Sequence, residues 1–290
     1  MKTNSIRVRL DQDHVHVTSK VFSGGEIHVD IDSLPAKCHD YTIKARLQSS
    51  EDIMHFLTLC DAMWRRYPEA HGKVTIPYLP YARQDRMCSK GQHFGLHVMS
   101  QLLSTIPQKT ITTYDLHSKV ASSLLAEDGF GVIDIQQYDI LMKHSLGEDL
   151  ADGRLRLVSP DKGAKDKTAQ VSSFCNSKMS TIVGGKTRDP KTGKITEFTV
   201  DEDDLCGQDL LIVDDICDGG GTFIGLADEL KKRGAGEISL FVTHGIFSRG
   251  FDGFSGLIDH IYTTDSFRRS SDLPFNGVVA ENVTLTTIKV

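Results

Sequence analysis

The run Leu210-Leu211-Ile212-Val213-Asp214-Asp215-Ile216-Cys217-Asp218-Gly219-Gly220-Gly221-Thr222 constrains the fold more than any other stretch of this chain. An apolar run without polar alternation describes a strand buried on both faces, and such strands belong to parallel sheets covered by helices. Two acids then close the strand, three glycines turn the chain, and Thr222 opens a helical pattern with Phe223, Leu226, Ala227 and Leu230 on one face. Glycines let main-chain N–H groups approach an anion, and a helix N-terminus adds dipolar attraction, so the loop reads as a phosphate cradle. Asp214 and Asp215 cannot attract phosphate. At a strand's carboxyl end they can accept hydrogen bonds from sugar hydroxyls or hold a cation, and the pair points to a phosphorylated sugar. Taken alone, the stretch is equally an acidic turn followed by a helix cap.

Further β-rich runs recur at Tyr41–Leu47, Lys73–Tyr78, Lys109–Tyr114, Leu155–Val158, Ile238–Thr243 and Ile258–Thr263, separated by helical patterns. The expectation is an α/β fold of mostly parallel sheets flanked by helices. A helix follows Ser49-Ser50, with Ile53, Met54, Leu57, Cys60, Met63, Trp64 and Tyr67 at helical spacing until Pro68. Lys231-Lys232-Arg233 before Gly234 reads as a basic last helical turn rather than a nucleic-acid patch. A chain of 290 residues with 39% hydrophobic content supports two domains, and the polar stretch 134–153 places the boundary so that they span 1–134 and 135–290. Gly184–Asp204 reads as a mobile loop or exposed hairpin.

A net charge of -6 gives no global field for nucleic acid or anionic lipid, so a small anionic ligand is expected instead. Six cysteines without a C-x-x-C pair point to free thiols in a reducing, cytoplasmic compartment. Neither an apolar signal core nor a run of about 18 apolar residues occurs, so no membrane segment is expected.

The segment V-D-D-I-C-D-G-G-G-T is similar to the phosphoribosyl-pyrophosphate fingerprint of type I phosphoribosyltransferases and of ribose-phosphate pyrophosphokinases. Pro80-Tyr81-Ala82-Arg83-Gln84-Asp85-Arg86, Asp115-Leu116-His117-Ser118, Ser159-Pro160-Asp161 and Thr243-His244-Gly245-Ile246-Phe247-Ser248 resemble the pyrophosphokinases in the same order. The resemblance implies two type I phosphoribosyltransferase-like domains and a transfer of the β,γ-diphosphate of ATP to the anomeric hydroxyl of ribose 5-phosphate. It implies that Asp214 and Asp215 hold ribose hydroxyls and that Asp218, Gly219, Gly220, Gly221 and Thr222 bind the 5-phosphate. Arg83, Gln84, Asp85 and His117 would line the ATP site, with Phe22 and Glu26 entering from a neighbouring subunit. His117 and Asp161 would serve Mg2+. Arg83, with Lys186 and Arg188 of a K-x-R element, would be catalytic, because positioned cations stabilise the charge that builds during phosphoryl transfer. The family implies homo-oligomers, hexamers built from dimers.

Read without the family, His117 is a packed or capping histidine, Asp161 a turn residue, Phe22 plain core, Arg83 to Asp85 a surface ion-pair loop and the K-x-R segment a solvated charge run. The sequence also departs from the family pattern. Met87–Phe94 replaces a charged loop, which speaks against control by phosphate and ADP, and Gly24 stands where Asp or Asn is usual beside adenine. Gly219 replaces a Thr, removing a hydroxyl and widening the loop, so a larger 5-substituted ribose such as ADP-ribose stays open as acceptor. A phosphoribosyltransferase and a catalytically silent nucleotide-binding homologue are further alternatives.

Overall fold

Parallel strands cannot be joined by tight turns, and this chain alternates apolar runs with amphipathic helices that serve as crossovers. A computed structural model describes residues 5–188, 195–269, 272 and 277–290, except for the side chains of residues 188, 195 and 196. It divides the chain into two units, Met1–Ile135 and Gln136–Val290.

The first unit runs β1 (Ile6–Leu10), β2 (Asp13–Val15), β3 (Thr18–Val21), β4 (Ile27–Asp30), β5 (Asp40–Ala45), α1 (Ser50–Arg66), β6 (His71–Thr75), α2 (Gly95–Ser104), β7 (Thr110–Tyr114), α3 (Lys119–Glu127) and β8 (Gly131–Ile135). Among the described residues its six-stranded sheet has the order β2-β1-β5-β6-β7-β8, and β5 through β8 run parallel. Strand β1 pairs antiparallel with both β2 and β5. Strands β3 and β4 form a separate antiparallel hairpin.

Helix α1 starts where Ser49 accepts a hydrogen bond from the Asp52 amide at 3.1 Å, and Glu51 and Asp52 occupy its first turn, where carboxylates favour the helix dipole. It ends after Arg65 and Arg66, as Pro68 predicts. Ile53, Phe56, Leu59, Cys60 and Met63 are buried. Met54 and Trp64, expected in the stripe, are instead exposed, at 52% and 44%. Trp64 lies at the margin of a face centred on Phe56 and Cys60 and Met54 on the far side of the helix, so the buried arc is narrower than the full apolar pattern. Phe56 is fully buried, and its truncation to Ala should cost about 3–5 kcal/mol.

The second unit runs α4 (Gln137–Leu141), α5 (Ser145–Asp152), β9 (Arg156–Ser159), α6 (Lys165–Phe174), β10 (Ile182–Arg188), β11 (Ile195–Val200), β12 (Leu210–Cys217), α7 (Gly221–Lys232), β13 (Ile238–Gly245), β14 (His260–Thr264), β15 (Gly277–Ala280) and β16 (Val283–Ile288). Its eight-stranded sheet, counted over the described residues, has the order β11-β10-β9-β12-β13-β14-β16-β15. All neighbours are parallel except the edge pairs β10/β11 and β15/β16. From β9 the chain turns first to β10 on one side and later to β12 on the other, which makes the carboxyl ends of β9 and β12 a topological switch point. Ligands of open parallel sheets bind at such points, because the crossovers leave in opposite directions and open a crevice.

Every residue of β13 is buried, as are Leu210 through Val213 of β12, which accounts for their uninterrupted apolar character. Helix α7 buries Phe223, Leu226, Ala227 and Leu230 and stops at Gly234, whose φ is +78°. The basic triplet lies at its end, where Lys231 pairs with Asp259 at 3.2 Å, Lys232 with Asp228 at 2.7 Å and Arg233 with Glu229 at 2.9 Å.

Candidate active site

Strand β12 carries Asp214 and Asp215 to the switch point. The Asp215 amide donates to Asp214 Oδ1 at 2.9 Å, and Gln137 Nε2 donates to the Asp214 carbonyl at 2.6 Å. Asp215 is only 6% exposed, and Lys167 Nζ of α6 lies 4.0 Å from its Oδ2. Burial, reinforced by the adjacent Asp215 charge, pushes the Asp214 carboxyl well above the usual carboxylate range. The pair therefore holds unspent affinity for whatever brings it hydroxyl donors or positive charge. Cys217, one turn of the pleat further on, is fully buried, and burial together with the Asp214 and Asp218 charges pushes its thiol up to about 12.

Beyond the acids the loop is shaped by two different uses of glycine. Gly220 is the residue preceding α7 and has a φ of +77°, and a Cβ there would lie 2.6 Å from the Phe254 ring, so conformation and space both exclude a side chain. Gly221 opens the helix with nothing within 4 Å of a Cβ position. No side chain caps α7 among the described residues, which leaves its first N–H groups for an anion. The loop is braced from the segment that follows β13: Ser248 donates from its amide to the Asp218 carbonyl at 3.0 Å and from Oγ to Asp218 Oδ1 at 2.7 Å.

At the end of β9, Asp161 behaves differently. Its Oδ1 accepts from the amides of Gly163 and Ala164 at 2.8 and 3.1 Å, which is the turn role expected of it without the family. Its Oδ2 lies 2.6 Å from Lys186 Nζ on β10. Burial pulls this carboxyl up, but the Lys186 ammonium and the two amides outweigh it and leave it below the usual value. Strands β10 and β11 form the hairpin anticipated for Gly184–Asp204, with an irregularity between Thr187 and Arg188. The Arg188 backbone ends β10; its side chain lies outside the described residues.

In the first unit, Arg83, Gln84 and Asp85 follow β6, and His117 follows β7, all beyond the carboxyl ends of parallel strands. Gln84 Oε1 is 2.7 Å from His93 Nε2, and its carbonyl accepts from the Leu96 amide at 3.1 Å, so this residue anchors the start of α2. His117 is exposed rather than packed, between the buried Asp115, with a φ of +46°, and Lys119 at the start of α3. Phe22, at the tip of the β3/β4 hairpin, is 49% exposed, so it is not core; Lys20 Nζ sits 4.9 Å from its ring centroid. The tip is closed by the Phe22 amide donating to the Glu26 carbonyl at 2.9 Å.

Among the described residues no three His, Cys, Asp or Glu side chains converge to enclose a metal. Mg2+ does not require such a cage, since it keeps several waters and is commonly held by one or two carboxylates together with substrate phosphates. Asp161 fits that arrangement where the ion shares its Oδ2 with Lys186, since Oδ1 is taken by the two amides, whereas an imidazole such as His117 fits it through a water.

Residues 3–106 match the family model described as the N-terminal domain of ribose phosphate pyrophosphokinase, and residues 153–252 match the phosphoribosyl transferase domain. A ribose-phosphate pyrophosphokinase of Mycoplasmopsis pulmonis is 30% identical over 254 residues, covering 86% of this chain and 76% of that one. The chain belongs to the ribose-phosphate pyrophosphokinase family. The family's Haemophilus influenzae member is 28% identical over 267 residues, covering 89% of this chain and 81% of its own. The fold is that of the phosphoribosylpyrophosphate synthetase from Mycobacterium smegmatis, with a TM-score of 0.77 and 23% identity over 97% of this chain and 88% of that one. Within this pyrophosphokinase frame, Gln137, Lys167 and Ser248 join the site, the first two without any mark in their sequence context. Ser248 lies inside the T-H-G-I-F-S segment, whereas Lys167 is one of several lysines near Asp161 and Gln137 reaches Asp214 across 77 residues.

Proposed function

We propose that this chain catalyses the magnesium-dependent transfer of the β,γ-diphosphate of ATP to the anomeric hydroxyl of ribose 5-phosphate, giving phosphoribosyl pyrophosphate and AMP. The observation that carries the reading is the switch point of the second unit. There, two hydroxyl-accepting carboxylates, an uncapped helix N-terminus behind a glycine loop and a lysine on the neighbouring hairpin lie at the ends of adjacent parallel strands.

In this reading Asp214 and Asp215 orient the ribose by accepting hydrogen bonds from its hydroxyls, and residues Asp218 through Thr222 take the 5-phosphate on main-chain N–H groups. The anomeric oxygen attacks the β-phosphorus, the bond from that phosphorus to the α-β bridging oxygen breaks, the hydroxyl proton passes to solvent and AMP departs. Lys186 and Arg188 stabilise the charge that gathers on the transferring group, and Arg83 holds the ATP phosphates. Gln84, Asp85, His117 and, from a neighbouring subunit, Phe22 and Glu26 bound the nucleotide. Magnesium, which His117 would serve in the first unit and Asp161 in the second, would neutralise phosphate charge. Homo-oligomerisation and a cytoplasmic setting belong to the same proposal. Incubation with Mg-ATP and ribose 5-phosphate, followed by 31P NMR, should show AMP and phosphoribosyl pyrophosphate. Production of ADP, or no phosphoryl transfer, would overturn the reading, and the second outcome would match a silent homologue.

One observation favours a second acceptor reading. The room expected at Gly219 is taken by Arg249, whose Cδ and Nε would lie 3.3 Å from a Cβ there; the open space in the loop lies at Gly221 instead, where a Cβ would meet nothing within 4 Å, and it is this space that keeps a larger 5-substituent such as that of ADP-ribose as the second reading. Comparing kcat/KM for the two acceptors decides between them.

A further inference from the structure

A terminal phosphate entering the loop 218–222 faces an electrostatic problem. Asp214, Asp215 and Asp218 all lie within a few residues of it, while a helix N-terminus supplies only about half a positive charge. Lys167 is drawn toward Asp215, 4.0 Å away. The cation placed against the glycines themselves is Arg249. A Cβ built on Gly219 would stand 3.3 Å from both Cδ and Nε of Arg249, so the arginine stem lies over the space that a side chain at 219 would fill. The segment bearing it is fixed to the loop by the two hydrogen bonds from Ser248 to Asp218. Arg249 is exposed, and its guanidinium makes no hydrogen bond or ion pair with any described residue.

From this geometry we propose that Arg249 is a specificity-determining residue whose guanidinium takes the acceptor's terminal phosphate, in the place of the hydroxyl that Gly219 lacks. The inference rests on the reading of loop 218–222 as the acceptor-phosphate site. A planar guanidinium can offer two parallel N–H donors to two phosphate oxygens, and its full charge offsets the nearby carboxylates, which main-chain N–H groups alone do not. The absence of a side chain at 219 is then what admits the arginine to the loop. The class of ligand selected is a ribose bearing a terminal phosphate, against the same sugar without one.

Calorimetric titration of the full chain with ribose 5-phosphate and, separately, with ribose tests this without requiring turnover. R249A should weaken ribose 5-phosphate binding roughly 10- to 100-fold, the usual scale for a charge-assisted contact, while R249K should fall between it and the parent. The ratio of the two sugars' affinities should drop by the same factor, because only the phosphorylated ligand uses the contact. A Thr in place of Gly219 within R249A, restoring a hydroxyl donor, should recover part of the loss. Unchanged ribose 5-phosphate affinity in R249A, or an equal loss for both sugars, would overturn the proposal. If the parent chain binds ribose 5-phosphate with this dependence yet releases no AMP, the catalytic reading fails and the role of Arg249 stands.

Discussion

Two carboxylate sites at the ends of adjacent strands, Asp161 after β9 and the Asp214/Asp215 pair on β12, are built from the same residue type and are electrostatic opposites. Asp161 is satisfied from within the chain: Lys186 and two backbone amides hold it ionised. Asp214 is incomplete, since burial and a like charge oppose its ionisation and its main compensation is one hydrogen bond from its own chain neighbour. A preformed ion pair positions; an uncompensated pair waits. The difference indicates which of the two gains most when a hydroxylated ligand arrives, and it can be tested by removing each half.

The largest effect should come from the incomplete pair. Asp214→Asn with Asp215→Asn should lower kcat/KM by about 10³-fold or more while circular dichroism stays native, because two carboxylates are lost and the side-chain volume is kept. Near-normal turnover in the folded double variant would dissolve the contrast.

Lys186→Ala should reduce kcat by about 10²-fold and change KM for ATP much less, as expected of charge matched to a transition state. A rise in KM alone would make Lys186 a binding group, and Asp161 the more important half of that ion pair.

Next comes the loop that joins the acids to α7. Gly220→Ala should destabilise the fold by about 1–3 kcal/mol, through its left-handed backbone and the Phe254 ring, whereas Gly221→Ala should leave stability nearly unchanged. Thermal melts of the two variants check this; equal shifts would mean that space at 220 is not limiting.

The smallest effect is a pH signature of opposite sign. Asp214 has its carboxyl raised on folding, so the native state holds its proton longer, and stability tied to it is full below the ordinary carboxylate value and lost as pH rises above it. Asp214→Asn should therefore melt a few degrees higher than the parent at pH 7, on the order of 1 kcal/mol, with the gap narrowing toward pH 4. Asp161 has its carboxyl lowered, so its contribution is present at neutral pH and fades as pH falls below about 4. Asp161→Asn should melt lower than the parent at pH 7 and converge with it in acid.

The sequence was legible where one local rule acted alone. The paired acids, the glycine turn and α7 share one apolar-to-polar transition, and the ends of α1 are written by Ser49, Asp52 and Pro68. The antiparallel strands β1 to β4 and the hairpin β15/β16 were not legible, because short half-exposed strands lack a continuous apolar run. Helix α6 was hidden for a similar reason: only Thr168 and Val171 are buried, too few to set a helical period, and yet it delivers Lys167 toward Asp215. The bracing of the phosphate loop by Ser248, and the placement of Arg249 over Gly219, depend on strand neighbours that only tertiary pairing brings together.

The buried thiol at the centre of the fingerprint has a practical outcome for anyone attaching a reporter to this molecule. With Cys217 fully buried and its thiol up at about 12, maleimide chemistry near pH 7 has almost no thiolate to capture there, while Cys88 and Cys206 stand exposed on the surface. Labels placed on those two native cysteines would leave Cys217 and the adjoining sugar-facing acids untouched, with the half-buried Cys38 as the one partly accessible competitor among the six thiols.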